Sequence, residues 1–280
     1  MHSKTFITSR YITCVIGLLF SNNVLSDIDE IYSLSVGANL ANYSSDLTIN
    51  SQDNSVNAGF NFEDDMGYDK HVNAGWISGW YRTGELHRLR LTYTPINRSS
   101  SIQNTKDIVI DNTTIKAGAL IRSQTNTDIL DFSYIYSFHK TRKIEAGFST
   151  GIYWFLNDTK IFAAGEIQAE GDDQSSFKSD YFTEESLLAP MPLIGLSVNY
   201  EISSSWRSHA SVRYLDVQID EIDGSIFSAE AGSEYYFNDN WGIGASLAYF
   251  DLDIKVNGII SNSTLSWDHS GIQLYAVFKY

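Results

Sequence analysis

The sequence predicts an all-β protein: a transmembrane up-and-down antiparallel β-barrel of about ten strands, with eight as the nearest alternative. Three observations carry this. Side chains alternate with period two from Tyr32 to Tyr280, the repeat of a strand with two unlike faces. The connections between these runs are alternately short and long, as on the periplasmic and extracellular sides of an outer-membrane barrel. The closing run puts Ile272, Leu274, Ala276, Phe278 and Tyr280 on one face and ends on an aromatic ring, which suits a lipid-facing strand that closes on the first one.

Residues 1–26 read as a cleaved export signal, with Lys4 and Arg10 as the basic region, Ile12 to Phe20 as the apolar run and Val24-Leu25-Ser26 as the cleavage site. The barrel domain is then 27–280, beginning at Asp27. Cys14 leaves with the leader, so the mature chain has no thiol, in keeping with an exported protein that lacks a disulfide framework. No later stretch is apolar for long enough to cross a membrane as a helix, so only a closed barrel would satisfy the backbone in lipid. The chain is acidic, with 34 Asp+Glu against 19 Lys+Arg and a formal charge of −15. Without a basic footprint, nucleic acid is not an expected partner. The expected partners are outer-membrane lipid and lipopolysaccharide, the barrel-assembly machinery, and divalent cations shared with lipopolysaccharide phosphates. No cofactor is expected.

Taken in order, the first strand carries Leu34, Val36, Ala38 and Leu40 on its apolar face. A hairpin follows through Arg82-Thr83-Gly84-Glu85, a tight turn, with Val72, Ala74, Trp76 and Trp80 and then Leu89, Leu91 and Tyr93 assigned to lipid. Leu130, Phe132, Tyr134, Tyr136 and Phe138 turn at His139–Arg142 into Ile144, Ala146, Phe148, Ile152, Trp154 and Leu156. Ile194, Leu196, Val198 and Tyr200 turn at Ser203–Ser205 into Ala210, Val212 and Tyr214. Phe227, Ala229, Ala231, Tyr235 and Phe237 turn at Asn238–Asn240 into Trp241, Ile243, Ala245, Leu247 and Tyr249. Pro95, Pro190 and Pro192 fall near strand ends, where a missing donor is tolerated.

The long connections are expected at 41–70, 97–126, 157–187 and 255–266. Trp80, Tyr136, Phe138, Tyr200, Trp206, Tyr235, Phe237, Trp241, Phe278 and Tyr280 lie beside the short turns or the C-terminus, as one aromatic girdle; Tyr93, Trp154, Tyr214 and Tyr249 form the other. A soluble lipocalin-like barrel has the same periodicity with its faces inverted. The unequal loops and the girdles favour the membrane form.

The opposite face carries Arg88, Arg90, Asp131, Glu145, Arg207, Arg213, Glu230, Glu234 and Lys279, interleaved with glycines. Pairing around Asp220 and Glu221 sets Arg207 level with Glu234 and Arg213 diagonal to Glu230, while Arg88 and Glu145 share the periplasmic layer. Such a network is either a selectivity ring or an electrostatic plug. Small barrels fill their interiors with side chains, which favours the plug and leaves at most a narrow, porin-like pore.

In Phe60-Asn61-Phe62-Glu63-Asp64-Asp65-Met66-Gly67, the carboxylates Glu63, Asp64, Asp65 and, nearby, Asp69 are candidate oxygen ligands for a divalent metal, although their spacing is not that of an EF-hand. The competing reading is a solvated loop, which also serves for Glu170-Gly171-Asp172-Asp173. His71 and His269, with Asp268 and Asp69, are candidates for an omptin-like dyad, and a lipid-modifying hydrolase is the related alternative. No nucleophile motif accompanies them, so the expected role is non-enzymatic, with the loops contacting envelope or external ligands.

Together with the closing strand, the acidic run ending in Met66-Gly67, the Tyr81-Arg82 hairpin, His87-Arg88-Leu89 and Pro190-Met191-Pro192-Leu193-Ile194-Gly195-Leu196 resemble a widespread family of Gram-negative outer-membrane β-barrel proteins. The resemblance spans most of the mature chain, with Thr83 standing where that family's hairpin has an aromatic. It implies the barrel fold and carries no catalytic residues with it.

Overall fold

The computed structural model describes residues 28, 30–51, 57–105, 107–110, 113–169, 180–219, 222–257 and 261–280. The signal segment, the Glu170–Asp173 run and the Asp220–Glu221 turn lie outside them. The strands are β1 (Tyr32–Ser51), β2 (Asn57–Asn61), β3 (His71–Gly84), β4 (His87–Gln103), β5 (Ile108–Ile110), β6 (Thr113–Ile115), β7 (Leu120–Lys140), β8 (Ile144–Ala164), β9 (Ile167–Ala169), β10 (Asp180–Ser203), β11 (Trp206–Ile219), β12 (Ile222–Tyr236), β13 (Trp241–Asn257) and β14 (Ser261–Lys279).

Ten of them form a closed antiparallel barrel in the order β1, β3, β4, β7, β8, β10, β11, β12, β13, β14, and β14 returns to β1. That last ladder runs without a break from Ser33↔Lys279 to Ser51↔Ser261. The N–H groups of Ile31 and Tyr32 donate to the Tyr280 carbonyl at 2.6 and 3.0 Å, locking the two ends of the chain together. β2 lies along the upper part of β1, and β5, β6 and β9 make a small separate sheet. The loops expected at 41–70, 97–126, 157–187 and 255–266 are shorter than the sequence suggested. Polar residues there continue the strands, because above a bilayer the ladder still pairs the backbone while the outer side chains meet water.

The outer wall carries an exposed apolar band that includes Leu34, Val36, Leu91, Phe132, Phe148, Ile194, Leu196, Val212, Ile243, Leu247, Ile272 and Leu274. Tyr136, Phe138, Tyr200, Trp206, Tyr235, Phe237, Trp241 and Tyr280 are exposed at its rim beside the short turns, and Tyr93, Tyr214 and Tyr249 at the other. The hydroxyls of Tyr93, Tyr214 and Tyr249 donate to Asp128, Asp216 and Asp251 at 2.7, 3.0 and 2.9 Å. Each ring therefore lies in the band with its polar tip tied to a carboxylate beyond it.

One strand is corrected. Val72, Ala74 and Trp76 are buried inside the barrel and Trp80 lines the lumen, whereas Ile77 and Tyr81 are exposed outside. The lumen at the level of Val72 and Ala74 is itself apolar, so alternation alone assigns the wrong face there.

Candidate functional site

The lumen is built in layers, starting at the mouth beside the short turns. Glu145, fully buried at 0% exposure, is held by Arg82 at 2.9 and 3.0 Å, by Arg88 at 3.4 Å and by the Ser137 hydroxyl at 2.5 Å. The guanidinium of Arg82 also donates to the carbonyls of Ile28, Glu30 and Glu85 at 2.9, 3.2 and 3.0 Å. The segment preceding β1 is thereby drawn into the mouth, with Ile28 only 1% exposed. Glu30 forms a two-pronged pair with Arg207, one contact being 3.0 Å. Arg82 and Arg88 lie over the Trp80 ring at 5.9 and 5.4 Å, and the Lys279 ammonium sits 3.9 Å from the Tyr236 ring centre, as cations do over π-faces.

The expected Arg207–Glu234 pair is corrected here. The two residues are opposite in the β11–β12 ladder, but Arg207 takes the carboxylate of Glu30, and Glu234 accepts instead from the Tyr236 and Tyr275 hydroxyls at 2.6 and 3.2 Å. Tyr275 has room to cross the lumen because a side chain on Gly244 would collide with its ring.

One layer higher, Asp131 binds Arg213 across the lumen, the Ser133 hydroxyl at 2.7 Å, and Arg90 loosely at 3.5 Å. Glu230 pairs with His209 at 3.4 Å, not with Arg213. These groups surround a chamber of about 230 Å³, roofed by rings. Tyr43 and Phe250 stack on the two sides of His269, with centroids at 4.9 and 5.4 Å, and Tyr153 stacks on Phe250 at 5.2 Å. Ile96, Ile129, Phe155, Met191, Leu193, Ile226, Leu252 and Trp267 complete a buried apolar layer above it.

Over that layer, Arg98 binds the buried carboxylate of Glu63, which also accepts the Ser45 N–H at 2.9 Å. The guanidinium lies between the rings of Tyr43 and Tyr68 at 5.6 and 5.0 Å. The acidic run is therefore a cap. Met66 and Tyr68 turn inward with Ile108, Ile115, Ile121 and Ile161. Gly67, at φ 73°, makes the bend where a Cβ would strike Ile102.

The four candidate metal ligands do not converge. Glu63 holds Arg98, Asp64 pairs with Lys70 at 2.8 Å on the surface, Asp65 accepts the Asn61 N–H at 3.0 Å, and Asp69 offers its main-chain carbonyl to Arg98 at 3.3 Å. The Asp64 carboxylate raises the Lys70 pKa. Among the described residues no group of three or more metal-binding side chains occurs. Nor is the histidine dyad assembled: His71 is exposed outside, against Asn42, while His269 is buried in the ring stack inside.

The sequence reading missed Glu30 and the Glu63–Arg98 cap. An acid two residues ahead of the first strand was the available signal for Glu30. Arg98 lies on β4, within the 97–126 stretch whose polar sequence reads as a loop.

The geometry defines a closed ten-stranded transmembrane barrel of the outer-membrane type. Its fold is that of the outer-membrane protease OmpT from Escherichia coli, which aligns at 10% identity and TM-score 0.57 over 93% of this chain and 100% of that one. OprG from Pseudomonas aeruginosa aligns at 11% identity over 90% of this chain and 97% of that one, with a TM-score of 0.32. No protein-family model and no curated protein matches the chain.

Proposed function

We propose that the protein is a non-enzymatic barrel of the bacterial outer membrane, exported through a cleaved signal peptide, whose lumen does not conduct ions and whose work is done at its outer surface. The observation that carries this is the stacking of three closures along one axis: the Glu30–Arg207 and Glu145 cluster, the ring-lined apolar layer, and the Glu63–Arg98 cap. An ion crossing the lumen would have to break buried pairs, at several kcal/mol each, and then enter a layer that offers it no partner. The lipid-facing band and the tyrosine-bound carboxylates above it suit lipopolysaccharide and its divalent cations as the surrounding partner.

Single-channel recording of purified protein in a planar bilayer tests the reading. The expected trace is flat, and a large steady current would reject the closed lumen. The resemblance to OmpT is one of fold. A hydrolase reading lacks a supporting site, since the histidines it would use face opposite sides of the wall.

A further inference from the structure

We infer that the lumenal chamber is a binding site for a small amphipathic carboxylate, taken up from the outer interface of the membrane through a seam in the barrel wall between β3 and β4. The inference rests on the closed-lumen reading, because with both ends shut a solute reaches the chamber only through the wall.

The seam is visible in the ladder. β3 pairs with β4 only from Gly84↔His87 to Ile77↔Tyr93, yet β3 stays paired with β1 as far as His71, and β4 with β7 as far as Gln103. Above Ile77 the two strands part, and continuing their register would set Pro95, which has no N–H, against Gly75, which has no side chain. The outward residues along the parted stretch, His71, Asn73, Asn97 and Ser99, are exposed and polar. The opening thus faces the headgroup level, where water can satisfy unpaired backbone groups, and not the hydrocarbon.

Behind this seam lies the chamber, with Trp76 on one lip and Thr94 on the other lining it. A second parting provides an internal comparison. β10 and β11 separate above Ile194↔Tyr214, next to Pro190 and Pro192. Val72 and Ala74 behind the first gap and Met191 and Leu193 behind the second all belong to the packed apolar layer, but Trp76, Thr94 and Ile96 at the first also line the chamber, and Met191 and Leu193 do not. Among the described residues, the β3–β4 seam is the parting that backs onto the space.

The lining sets the ligand class. Arg90 is loosely held, its guanidinium 3.5 Å from a carboxylate already bound by Arg213, and its side chain is 23% exposed where it lines the chamber. The nearby acids are occupied, Glu230 by His209 and Glu234 by two tyrosines. The roof is aromatic. A carboxylate on Arg90 with an apolar body beneath the rings fits both halves, and a chamber of about 230 Å³ limits the ligand to a small molecule.

The test is equilibrium binding of radiolabelled octanoate to the full-length mature barrel in lipid nanodiscs, with empty nanodiscs subtracted and 1-octanol as a neutral comparison. Wild type is expected to show one saturable site. Thr94→Trp and Ser228→Phe, which fill the chamber from opposite walls, should each abolish it, with heat-modifiable gel migration verifying that each barrel is folded. Arg90→Gln should weaken octanoate about tenfold and leave octanol unchanged. Pro95→Thr, which returns a backbone donor to the seam, should slow uptake severalfold, whereas Pro192→Thr should not. Absence of saturable binding to folded wild type, or binding that survives both filling variants, would overturn the site. Equal uptake rates in the two proline variants would overturn the route. Either failure beside a flat bilayer recording rejects the chamber alone, whereas a large current rejects the closed lumen beneath it.

Discussion

Glu145 and Glu234 are both lumenal carboxylates, but their neighbours give them different weights. Glu145 neutralises Arg82 and Arg88 in a site without water access, so Glu145→Gln should destabilise the barrel by on the order of 3–5 kcal/mol. Glu234 accepts only from two tyrosine hydroxyls, and Glu234→Gln, which can still accept, should cost about 1 kcal/mol. Urea titrations of lipid-refolded protein would rank them, and equal costs would mean that the arginines find other partners. A double-mutant cycle reads the pairing directly. Arg207 should couple to Glu30 by about 0.5–3 kcal/mol, and to Glu234 by no more than about 0.5 kcal/mol. The sequence made the opposite signs legible and the Arg207–Glu234 register correct. It hid the partner, because Glu30 precedes the alternating pattern and no periodicity places it.

Strands were legible wherever their two faces differ in polarity. Toward the short turns, β7, β8 and β10 to β14 alternate between lipid and a polar or glycine-rich lumen, and their outward residues match the sequence reading even where the lumenal face higher up is apolar. β3 was inverted because Val72, Ala74 and Trp76 face an apolar stretch of lumen while His71, Asn73 and Gly75 face outward. A period-two pattern reports that faces differ, not which of them meets lipid. Where the faces are unambiguous, neighbours should respond differently: Leu196→Arg on the lipid wall should cost about 2–4 kcal/mol. Ser197→Arg, which points into the chamber, should cost less in the same refolding titration. A reversed order would contradict the assignment of β10. The chamber itself was not legible, since it depends on where ladders stop, and a proline in a sequence marks a missing donor without saying which neighbour goes unpaired.

At the scale of the whole molecule, the strand count, the closure of β14 on β1 and the unequal ends were all readable, because an even-stranded barrel in lipid leaves few other solutions. Deleting Phe278 to Tyr280 should block assembly: it removes the carbonyl that holds Ile31 and Tyr32 and the ring of Phe278 packed between Tyr32 and Trp241. Absence of a heat-modifiable folded species in membrane fractions is the expected result, and normal yield of that species would refute the role given to the closing strand. That closure also sets a clock. All the other barrel neighbours are consecutive strands of the barrel, joined through hairpins or loops, whereas β1 and β14 pair residues from opposite ends of the chain. Loop closure of that span is the slow step in forming such a ladder. Until it happens the sheet has two long raw edges, each able to pair with another copy. Refolding should therefore show a lag that lengthens with chain concentration as edge-to-edge association competes with closure, and the exposed state is the one a folding assistant must shield.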